Sequence, residues 1–227
     1  MIVTAGGTGT RMGADLPKQF LTLAGKPVLR MTVENFLAAE PGIKVVTVLP
    51  AEWISYWEEY CLAANFTVPQ TMVPGGITRF HSVRNALSKV PDGALVAIHD
   101  GVRPLISPRL VRELFAQAAI TGSAVPVLPS TDTLRRLTKA EGTLLEAAPS
   151  GKIVREEVFR VQTPQIFYSE EIKAAYSAPY DTSFTDDASV AESSGISVKY
   201  CPGEKFNIKL TTRDDLMLAS ALLSLRA

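Results

Sequence analysis

The chain has 227 residues, a length that suits one large α/β domain or two small ones. Hydrophobic residues make up 46% and charged residues 20%, which supplies a sizeable core and excludes a disordered chain. The formal net charge of +0 gives no indication of nucleic acid or a membrane surface as a partner, so any anion must meet local clusters of basic residues.

Cysteine and histidine are too few to form a disulfide framework or an ordinary zinc site. Cys61 and Cys201 are far apart in the sequence, and His81 and His99 are the only two histidines. No apolar run approaches the length of a membrane span, and the N-terminus begins as a strand without a basic leader region. These features predict a cytoplasmic protein with reduced thiols.

The first predicted strand, Ile2–Thr4, runs into the glycine-rich stretch AGGTGTRMGADLPKQF. Glycines permit positive φ and allow backbone N–H groups to approach an anion closely. The stretch lacks the Gly-Lys pair of a Walker loop, and its glycine spacing is one residue too long for a dinucleotide fingerprint. Arg11 and Lys18 follow the glycines, and two permanent cations beside such a turn suit a triphosphate whose charge grows during a reaction.

After this loop, apolar segments alternate with helical patterns, which predicts βαβ units and a mainly parallel sheet. The other strands are predicted at residues 44–49, 71–73, 94–99, 124–129 and 198–201. The helices are predicted at residues 28–40, 51–65, 79–90 and 107–121, followed by a last helix capped by Thr212. Ser107, with Pro108 at the first helical position, is the predicted N-cap of the fourth helix.

Asp100 and Arg103 follow the buried strand at residues 94–99, in the sequence HDGVRP. Ligands of open α/β sheets gather at the carboxyl ends of the strands, so both side chains are expected at the same crevice as the glycine-rich loop. An aspartate there can hold Mg²⁺ or a ribose hydroxyl. Pairing of Asp100 with Arg103 is an equally good interpretation, and the two are compatible.

Four more positions are candidates on weaker signals. Gly76 and Ser82 belong to a second glycine-rich turn, GGITRFHS, which offers groups to read a base edge. Thr185 precedes two aspartates, which is typical of a helix N-cap. Lys209 lies between two apolar residues ahead of the last helix, where it is either an edge residue with an extended side chain or an anion ligand.

Residues 133–160 interrupt the alternation of strands and helices. Their short runs mix apolar and charged residues between two turn signals, Glu141-Gly142 and Ser150-Gly151, as in a solvent-exposed antiparallel hairpin. An isolated hairpin is marginal in water, so we expect it to pack on another surface, most simply a second copy of itself. The sequence therefore predicts one domain, residues 1–227, with a β-arm that forms a homodimer.

The motifs taken together resemble the 2-C-methyl-D-erythritol 4-phosphate cytidylyltransferases of the non-mevalonate isoprenoid pathway. The resemblance rests on motifs that occur in family order along almost the whole chain: AGGxGxRMG, LPKQF, GGxxRxxSV, HDGVRP, QTPQ, TDDA and NIKxT. It implies a Rossmann-like, GT-A type nucleotidyltransferase fold with a projecting β-arm. It also implies transfer of a cytidylyl group from CTP to the polyol phosphate, with Mg²⁺ and release of pyrophosphate.

The resemblance implies roles for particular residues. Arg11 and Lys18 resemble the pair that stabilises the transition state, and Arg155 and Lys209 resemble the residues that position the acceptor phosphate, Arg155 from the partner subunit. The polar set that binds the acceptor is similar to Asp132, Thr133, Thr163 and Thr185. The residues similar to the cytidine-binding set are Ala5, Gly6, Gly7, Gly9, Gly76, Ser82 and Asp100, the last also lying near the metal.

Two departures leave an alternative open. The opening Thr4-Ala5-Gly6-Gly7 resembles the related ribitol-5-phosphate cytidylyltransferases, and Ile77 stands where the family often has an acid. The later motifs favour the methylerythritol enzyme. A non-catalytic nucleotide sensor on the same fold would have lost the cations around the α-phosphate, which this sequence keeps. No cysteine or histidine lies where a protein nucleophile is needed, so we expect positioning and electrostatics to dominate the chemistry.

Overall fold

An eight-stranded sheet forms the centre of the computed structural model, which describes residues 1–7, 16–139, 145–148 and 153–225. Its strands are β1 (Ile2–Thr4), β4 (Val45–Leu49), β5 (Gln70–Pro74), β6 (Leu95–Asp100), β7 (Ser123–Pro129), β10 (Phe159–Val161), β11 (Gln165–Tyr168) and β12 (Tyr200–Pro202). Two small ribbons accompany it, β2 (Thr22–Leu23) with β3 (Lys26–Pro27), and β8 (Leu137–Lys139) with β9 (Leu145–Ala147).

The strand order in the sheet is β10-β7-β11-β6-β1-β4-β5, and β12 pairs with β7 outside this path. The pairs β1–β4, β1–β6, β4–β5 and β7–β12 are parallel, whereas β11 runs antiparallel between β6 and β7, and β10 antiparallel to β7. The prediction of an α/β fold with a mainly parallel sheet is therefore confirmed.

Helices cover both faces of the sheet. They are α1 (Val28–Ala39), α2 (Ile54–Ala63), α3 (Arg79–Leu87), α4 (Pro108–Thr121), α5 (Ser169–Ala175), α6 (Asp187–Ser193) and α7 (Arg213–Ser224). Successive strand residues point to opposite faces, so Ile2 and Val3 belong to different cores. Val3 packs with Phe36 of α1 and Trp57 of α2, and the core of Ile2 contains Phe80 of α3.

The predicted strands and helices lie close to the observed ones, and one predicted helix N-cap was wrong. Ser107 caps α4 by accepting from the Leu110 N–H, and Thr212 forms a capping box at α7, as predicted. The cap of α6 is Asp186 rather than Thr185, because Asp186 has the extended backbone and its carboxylate accepts from Ser189 N–H at 2.9 Å. Residues 51–65 begin as a 3-10 turn, Ala51–Trp53, before α2.

The segment predicted as the β-arm contains the antiparallel pair of β8 and β9, and all residues of these two strands are exposed. Part of it, residues 140–144 and 149–152, lies outside the described residues. Its last residues, at the start of β10, pair with β7 in the central sheet. Strand β11 and helix α5, which follow directly after Pro164, were not among the predicted elements.

In the described part of the chain, no helix is both long enough and apolar enough to span a bilayer.

Candidate active site

A cavity of about 380 Å³ opens where the parallel strands β1 and β6 end. This is the position at which open α/β sheets bind ligands. Eight of the predicted site residues line it together: Ala5, Gly6, Gly7, Lys18, Gly76, Ser82, Asp100 and Lys209. Residues from four distant parts of the sequence therefore meet in one place, as the sequence analysis expected. Arg11 and Gly9 lie outside the described residues.

The two glycine-rich turns meet at Ser82. The Ser82 hydroxyl accepts from the Gly76 N–H at 3.0 Å and donates to the Thr78 carbonyl at 3.0 Å. A side chain at Gly76 would place its Cβ 2.4 Å from the Cβ of His81, so only glycine fits there. A Cβ at Gly6 would lie 3.7 Å from the same Ser82 oxygen. The first turn and the second turn thus form one continuous wall of the cavity.

Gln19 holds the first turn, although the sequence analysis did not select it. It is fully buried, and its amide nitrogen donates to the carbonyls of Ala5 at 2.7 Å and Gly7 at 3.2 Å. These two bonds assign the orientation of the amide, and its Oε1 has no hydrogen-bond partner among the described residues. The motif LPKQF was the available signal, because Gln19 immediately follows Lys18.

Asp100 is the centre of charge in the cavity. Its Oδ2 lies 3.1 Å from both Arg103 Nε and Lys209 Nζ, and its Oδ1 lies 3.7 Å from Arg79 Nε. The predicted pairing of Asp100 with Arg103 is confirmed. Burial opposes ionisation of Asp100, but the positive charges around it outweigh burial and hold the pKa of its carboxyl well below the usual range. The carboxylate is therefore charged at neutral pH.

Behind Asp100, a buried histidine fixes the end of β6. The Thr163 hydroxyl accepts from the Asp100 N–H at 3.0 Å and lies 3.0 Å from His99 Nδ1, while His99 Nε2 lies 3.3 Å from the Arg103 carbonyl. This network assigns the proton of neutral His99 to Nε2, because a carbonyl can only accept. Burial lowers the pKa of His99 to about 3. Thr163, 5% exposed, thus positions the backbone of Asp100.

Arg79 extends the charged cluster into the core. Its guanidinium binds Asp187 bidentately, through Nη1 at 2.8 Å and Nη2 at 2.6 Å. The Tyr176 hydroxyl donates to the same carboxylate at 2.6 Å, and Asp187 is fully buried. The second aspartate of the TDDA motif is therefore a partner of Arg79, a role that the sequence analysis did not predict. The arginine in the GGxxR motif was the only sequence feature that indicated such a partner for Asp187.

The remaining predicted residues lie away from this cavity. Thr133 and Arg155 line a separate cavity of about 230 Å³ at the base of the hairpin. Arg155 is exposed and lies 3.3 Å from Glu156. Asp132 and Thr185 are also exposed, and the Thr185 N–H donates to Ser189 Oγ at 3.0 Å. Within one chain, the structure does not bring these four residues to the glycine-lined cavity.

A larger depression, of about 660 Å³, lies between α4, α5 and the turn after α6. Glu171 is the one charged residue among those that line it, so it lacks the cations that a phosphate ligand needs. The glycine-lined cavity is thus the better candidate for chemistry on phosphates.

The parallel strands end at two glycine turns, several cations and one buried carboxylate. This arrangement defines an enzyme of the nucleotidyltransferase class. The chain belongs to the 2-C-methyl-D-erythritol 4-phosphate cytidylyltransferase (IspD) family, whose model matches residues 1–225. A relative of that name from Porphyromonas gingivalis is 46% identical over 224 residues, covering 98% of this chain and 96% of the relative. A second, from Bacteroides thetaiotaomicron, is 43% identical over 223 residues and covers 98% of each chain.

Solved structures of the same family share the fold. The crystal structure of 2-C-methyl-D-erythritol 4-phosphate cytidylyltransferase from Thermus thermophilus matches with a TM-score of 0.73 and 28% identity, covering 98% of each chain. 4-Diphosphocytidyl-2C-methyl-D-erythritol synthase from Anaerococcus prevotii matches with a TM-score of 0.77 and 26% identity, covering 98% of this chain and 94% of that one.

Proposed function

We propose that this protein transfers a cytidylyl group from CTP to 2-C-methyl-D-erythritol 4-phosphate, giving CDP-methylerythritol and pyrophosphate for isoprenoid precursor synthesis. The observation that carries the proposal is the meeting of Lys18, Lys209 and Asp100 with two glycine turns in one cavity. Relatives at 43–46% identity over nearly the full chain bear the name of this activity. The ribitol-5-phosphate alternative is not favoured, because the relatives match the methylerythritol family along the whole chain.

The cytidine half of CTP is assigned to the wall formed by the two glycine turns. Ala5, Gly6, Gly7 and Gly76 offer backbone groups there without side-chain obstruction. Ser82 holds the second turn in place through its two hydrogen bonds. Ile77 lines the same cavity, and its apolar side chain offers no polar group to a base. The base is therefore recognised by main-chain groups, and the family's frequent acid at this position is dispensable.

The triphosphate is assigned to the cationic side of the cavity. Lys18 and Lys209 line it, and Arg11 is assigned to the same task on the strength of the AGGxGxRMG motif. Fixed positive charges that face the α-phosphate stabilise the negative charge that develops as its oxygens pass through the transition state. A cation that is held in a fixed position needs no reorganisation at the moment of reaction. Lys18 directly precedes Gln19, the anchor of the first turn, which supports a fixed position.

The residues at Asp100 fit a magnesium ion brought in with CTP. Magnesium is usually held by one or two carboxylates together with substrate phosphates. Asp100 is the one carboxylate among the residues that line the cavity, and its Oδ1 has no cation within hydrogen-bond distance among the described residues. In the part of the chain that the structure describes, no cluster of three His, Cys, Asp or Glu side chains could hold a metal alone. When bound, Mg²⁺ would neutralise charge on the triphosphate.

The acceptor phosphate is assigned to Arg155 of the partner subunit and to Lys209, with Asp132, Thr133 and Thr185 nearby. Thr163, which was also predicted to bind the acceptor, instead supports Asp100 from behind, because its hydroxyl is bonded to the Asp100 N–H and to His99. Arg155 and Thr133 lie at the hairpin base rather than at the cavity of their own chain. A homodimer formed through this arm would bring Arg155 to the second subunit's cavity. The exposed apolar side chains in and beside the arm support such an interface: Leu137, Leu145, Val154, Phe159 and Val161.

The reaction then proceeds by in-line attack. An oxygen of the acceptor phosphate forms a bond to the α-phosphorus of CTP, and the bond from that phosphorus to the bridging oxygen breaks, so pyrophosphate leaves with the electron pair. The chain's part is to align the two phosphates and to stabilise charge. No cysteine or histidine serves as nucleophile. His99 is buried and neutral, and its ring nitrogens are occupied by Thr163 and Arg103.

We further propose a cytoplasmic enzyme that binds neither nucleic acid nor membrane. Cys61 and Cys201 are both free thiols, and burial raises the pKa of each, which suits a reducing compartment. The balance of 23 basic and 23 acidic residues gives no overall attraction to a polyanion.

Pyrophosphate release tests the proposed activity directly. Purified protein is incubated with CTP and Mg²⁺ and with either methylerythritol phosphate or ribitol 5-phosphate. We expect release with the first acceptor at a kcat/KM at least about 100-fold above that with the second, since a site built to hydrogen-bond one polyol rejects another strongly. ATP, GTP and UTP serve as controls for the nucleotide. Equal rates with both acceptors, or release with ribitol 5-phosphate alone, would refute the assignment.

A further inference from the structure

Arg79 connects the nucleotide cavity to the buried core. Its side chain is 29% exposed and lines the cavity, while its Nη1 and Nη2 face Asp187 behind the wall. Its Nε lies 3.7 Å from the Oδ1 of Asp100. One guanidinium thus contacts a carboxylate in the core and a carboxylate in the site, and it begins α3 directly after the second glycine turn.

The pair of Arg79 and Asp187 is costly as a purely structural feature. Asp187 is fully buried and Arg79 is mostly buried, and the loss of hydration of the two charges offsets much of their attraction. Apolar residues of similar volume are often equally stabilising in such a position. The bidentate geometry restrains the guanidinium in a single orientation, and the Tyr176 hydroxyl orients the Asp187 carboxylate in turn. The pair therefore provides precise placement at the wall of the cavity.

That placement acts on Asp100. Arg103 and Lys209 both contact Oδ2 of Asp100, whereas Arg79 is the cation that faces Oδ1 among the described residues. The position of Arg79 therefore determines which cations contact each of the two oxygens of the Asp100 carboxylate. If Asp187 were neutral, the guanidinium would have Asp100 as its nearest remaining carboxylate and would turn toward it. Lys209 and the glycine turn next to Arg79 would then lose their present alignment.

We propose that Arg79, clamped by Asp187, is a positioning residue of the nucleotide site, which sets the orientation of Asp100 and thereby the position of Lys209. The proposal rests on the proposed function, because it concerns how the same cavity binds CTP. It adds two residues, one of them outside the cavity, that contribute to CTP binding without contact with the reacting atoms.

The first experiment compares two substitutions of the same hydrogen-bond network. Asp187→Asn keeps the shape and removes the clamping charge, whereas Tyr176→Phe removes only the hydrogen bond on the far side of Asp187. We expect Asp187→Asn to weaken CTP binding by about 10- to 100-fold, as for other supporting residues behind a binding group, measured by calorimetry without acceptor. Tyr176→Phe leaves both charges and both hydrogen bonds of the Arg79–Asp187 pair in place, so it should lower Tm and leave CTP affinity within about twofold. Equal CTP affinity in the two folded variants would overturn the proposal.

A second variant separates positioning from folding. Arg79→Met combined with Asp187→Leu replaces the whole pair with apolar side chains, and we expect it to fold, with a Tm lowered because the buried Tyr176 hydroxyl loses its acceptor. Its CTP affinity should nevertheless fall by about tenfold or more, by the same comparison with supporting residues. Wild-type affinity in this folded double variant would show that the pair is structural only.

A double-mutant cycle tests the route through Asp100. If Arg79 and Asp187 act on the nucleotide by way of Asp100, the loss of CTP affinity on Asp187→Asn should be much smaller when Asp100 is already Asn. Full additivity of the two losses would contradict that route. Failure of the wild type to release pyrophosphate from CTP with either acceptor would refute the proposed function instead. Calorimetry distinguishes the two failures, because it measures CTP binding without acceptor and without turnover.

Discussion

Lys209 Nζ lies 3.1 Å from Asp100 Oδ2, which joins the segment before α7 to the end of β6. Lys209 is 43% exposed and Asp100 is almost fully buried, so the lysine faces the open cavity and the carboxylate is enclosed by protein. Lys209 was open to two interpretations from sequence, an edge residue or an anion ligand. Its position at the cavity, next to a carboxylate that stays charged, favours the second.

Asp100 should give the protein a distinct dependence of stability on pH. Because its folded pKa is lowered, the stabilisation that its ionisation supplies is present above the unfolded value of about 3.9 and is lost as pH falls through the folded pKa. The difference in unfolding free energy between the wild type and Asp100→Asn should therefore shrink between pH 5 and pH 3, by up to about 1.4 kcal/mol for each pH unit below 3.9.

Urea unfolding at several pH values measures this difference, with Asp92→Asn as the reference for removal of an exposed carboxylate. Parallel curves for wild type and Asp100→Asn across this range would show that the cations around Asp100 do not favour its ionised form.

Lys18→Ala should leave the fold intact and lower kcat by about 100-fold or more, as for loss of one preorganised donor at a developing charge. Lys18 lines the cavity beside Gln19 and the first glycine turn, so its ammonium can meet the triphosphate from a defined position. Pyrophosphate release under saturating substrates gives kcat, and circular dichroism checks the fold. Lys26→Ala is a matched control, because Lys26 pairs with Glu34 outside the cavity. Turnover near that of the wild type in Lys18→Ala would remove Lys18 from the transition state.

Arg155→Ala should raise KM for the acceptor phosphate by about tenfold or more while KM for CTP stays constant, because an Arg–phosphate contact is a charge-assisted bidentate bond that only the acceptor would lose. Arg160→Ala, an exposed arginine of the neighbouring β10, controls for the loss of charge.

Analytical ultracentrifugation of the same samples tests the dimer. Leu145→Asp, in the exposed hairpin strand β9, should shift the protein to monomer, and Leu62→Asp, also exposed, on α2, should not. A wild-type monomer at micromolar concentration, or an unchanged acceptor KM in dimeric Arg155→Ala, would argue against binding across subunits.

Much of the sheet and of the cavity could be predicted from the sequence because both depend on local patterns. Strand β1 and helix α4 follow from a short apolar run and from the Ser107-Pro108 cap, and parallel strands bring their carboxyl ends together whatever lies between them. Strand β11 was missed because its four residues combine a glutamine with a short apolar run, and its antiparallel place between β6 and β7 depends on long-range pairing.

The charge partners behind the cavity could not be predicted in this way. Asp187 is an acid in the first turn of α6, where a solvated position is the ordinary expectation. Only the packing of α3 against α5, and of α5 against α6, brings Arg79 and Tyr176 to it. Gln19 likewise has no sequence feature that separates a buried anchor from an exposed amide. The arm's exposed hairpin was anticipated from its mixed pattern, but a single chain does not contain the surface on which it would pack.

Chelation of divalent metal should abolish turnover without unfolding the protein. Among the described residues no cluster of three potential ligands exists, so the metal is expected to enter with CTP on Asp100 and not to support the fold. Turnover lost in excess EDTA should return with Mg²⁺, while Tm in EDTA stays within about one degree of the untreated value because a group that does not bind the native state does not stabilise it. A fall in Tm on chelation, or turnover that persists in EDTA, would contradict this assignment.

His99 should make the protein less stable as pH falls through the range in which free histidine titrates. Its folded pKa, lowered to about 3 by burial, lies below the unfolded value of about 6.5, so the unfolded chain binds a proton that the folded chain does not. The stability is fully present above about pH 6.5 and declines by up to about 1.4 kcal/mol per pH unit below it. Between pH 7 and pH 5 the loss from this one group comes to about 2 kcal/mol.

His99→Gln isolates this contribution, because glutamine does not titrate and its amide can still donate toward the Arg103 carbonyl and accept from Thr163. Urea unfolding gives the decrease in unfolding free energy between pH 7 and pH 5. This decrease should be about 2 kcal/mol smaller for the variant than for the wild type, even if the variant is less stable at pH 7. Equal losses would mean that His99 takes up its proton in the folded protein. In that case the Thr163 contact would have to rearrange, because a protonated Nδ1 can only donate, and with it the backbone of Asp100.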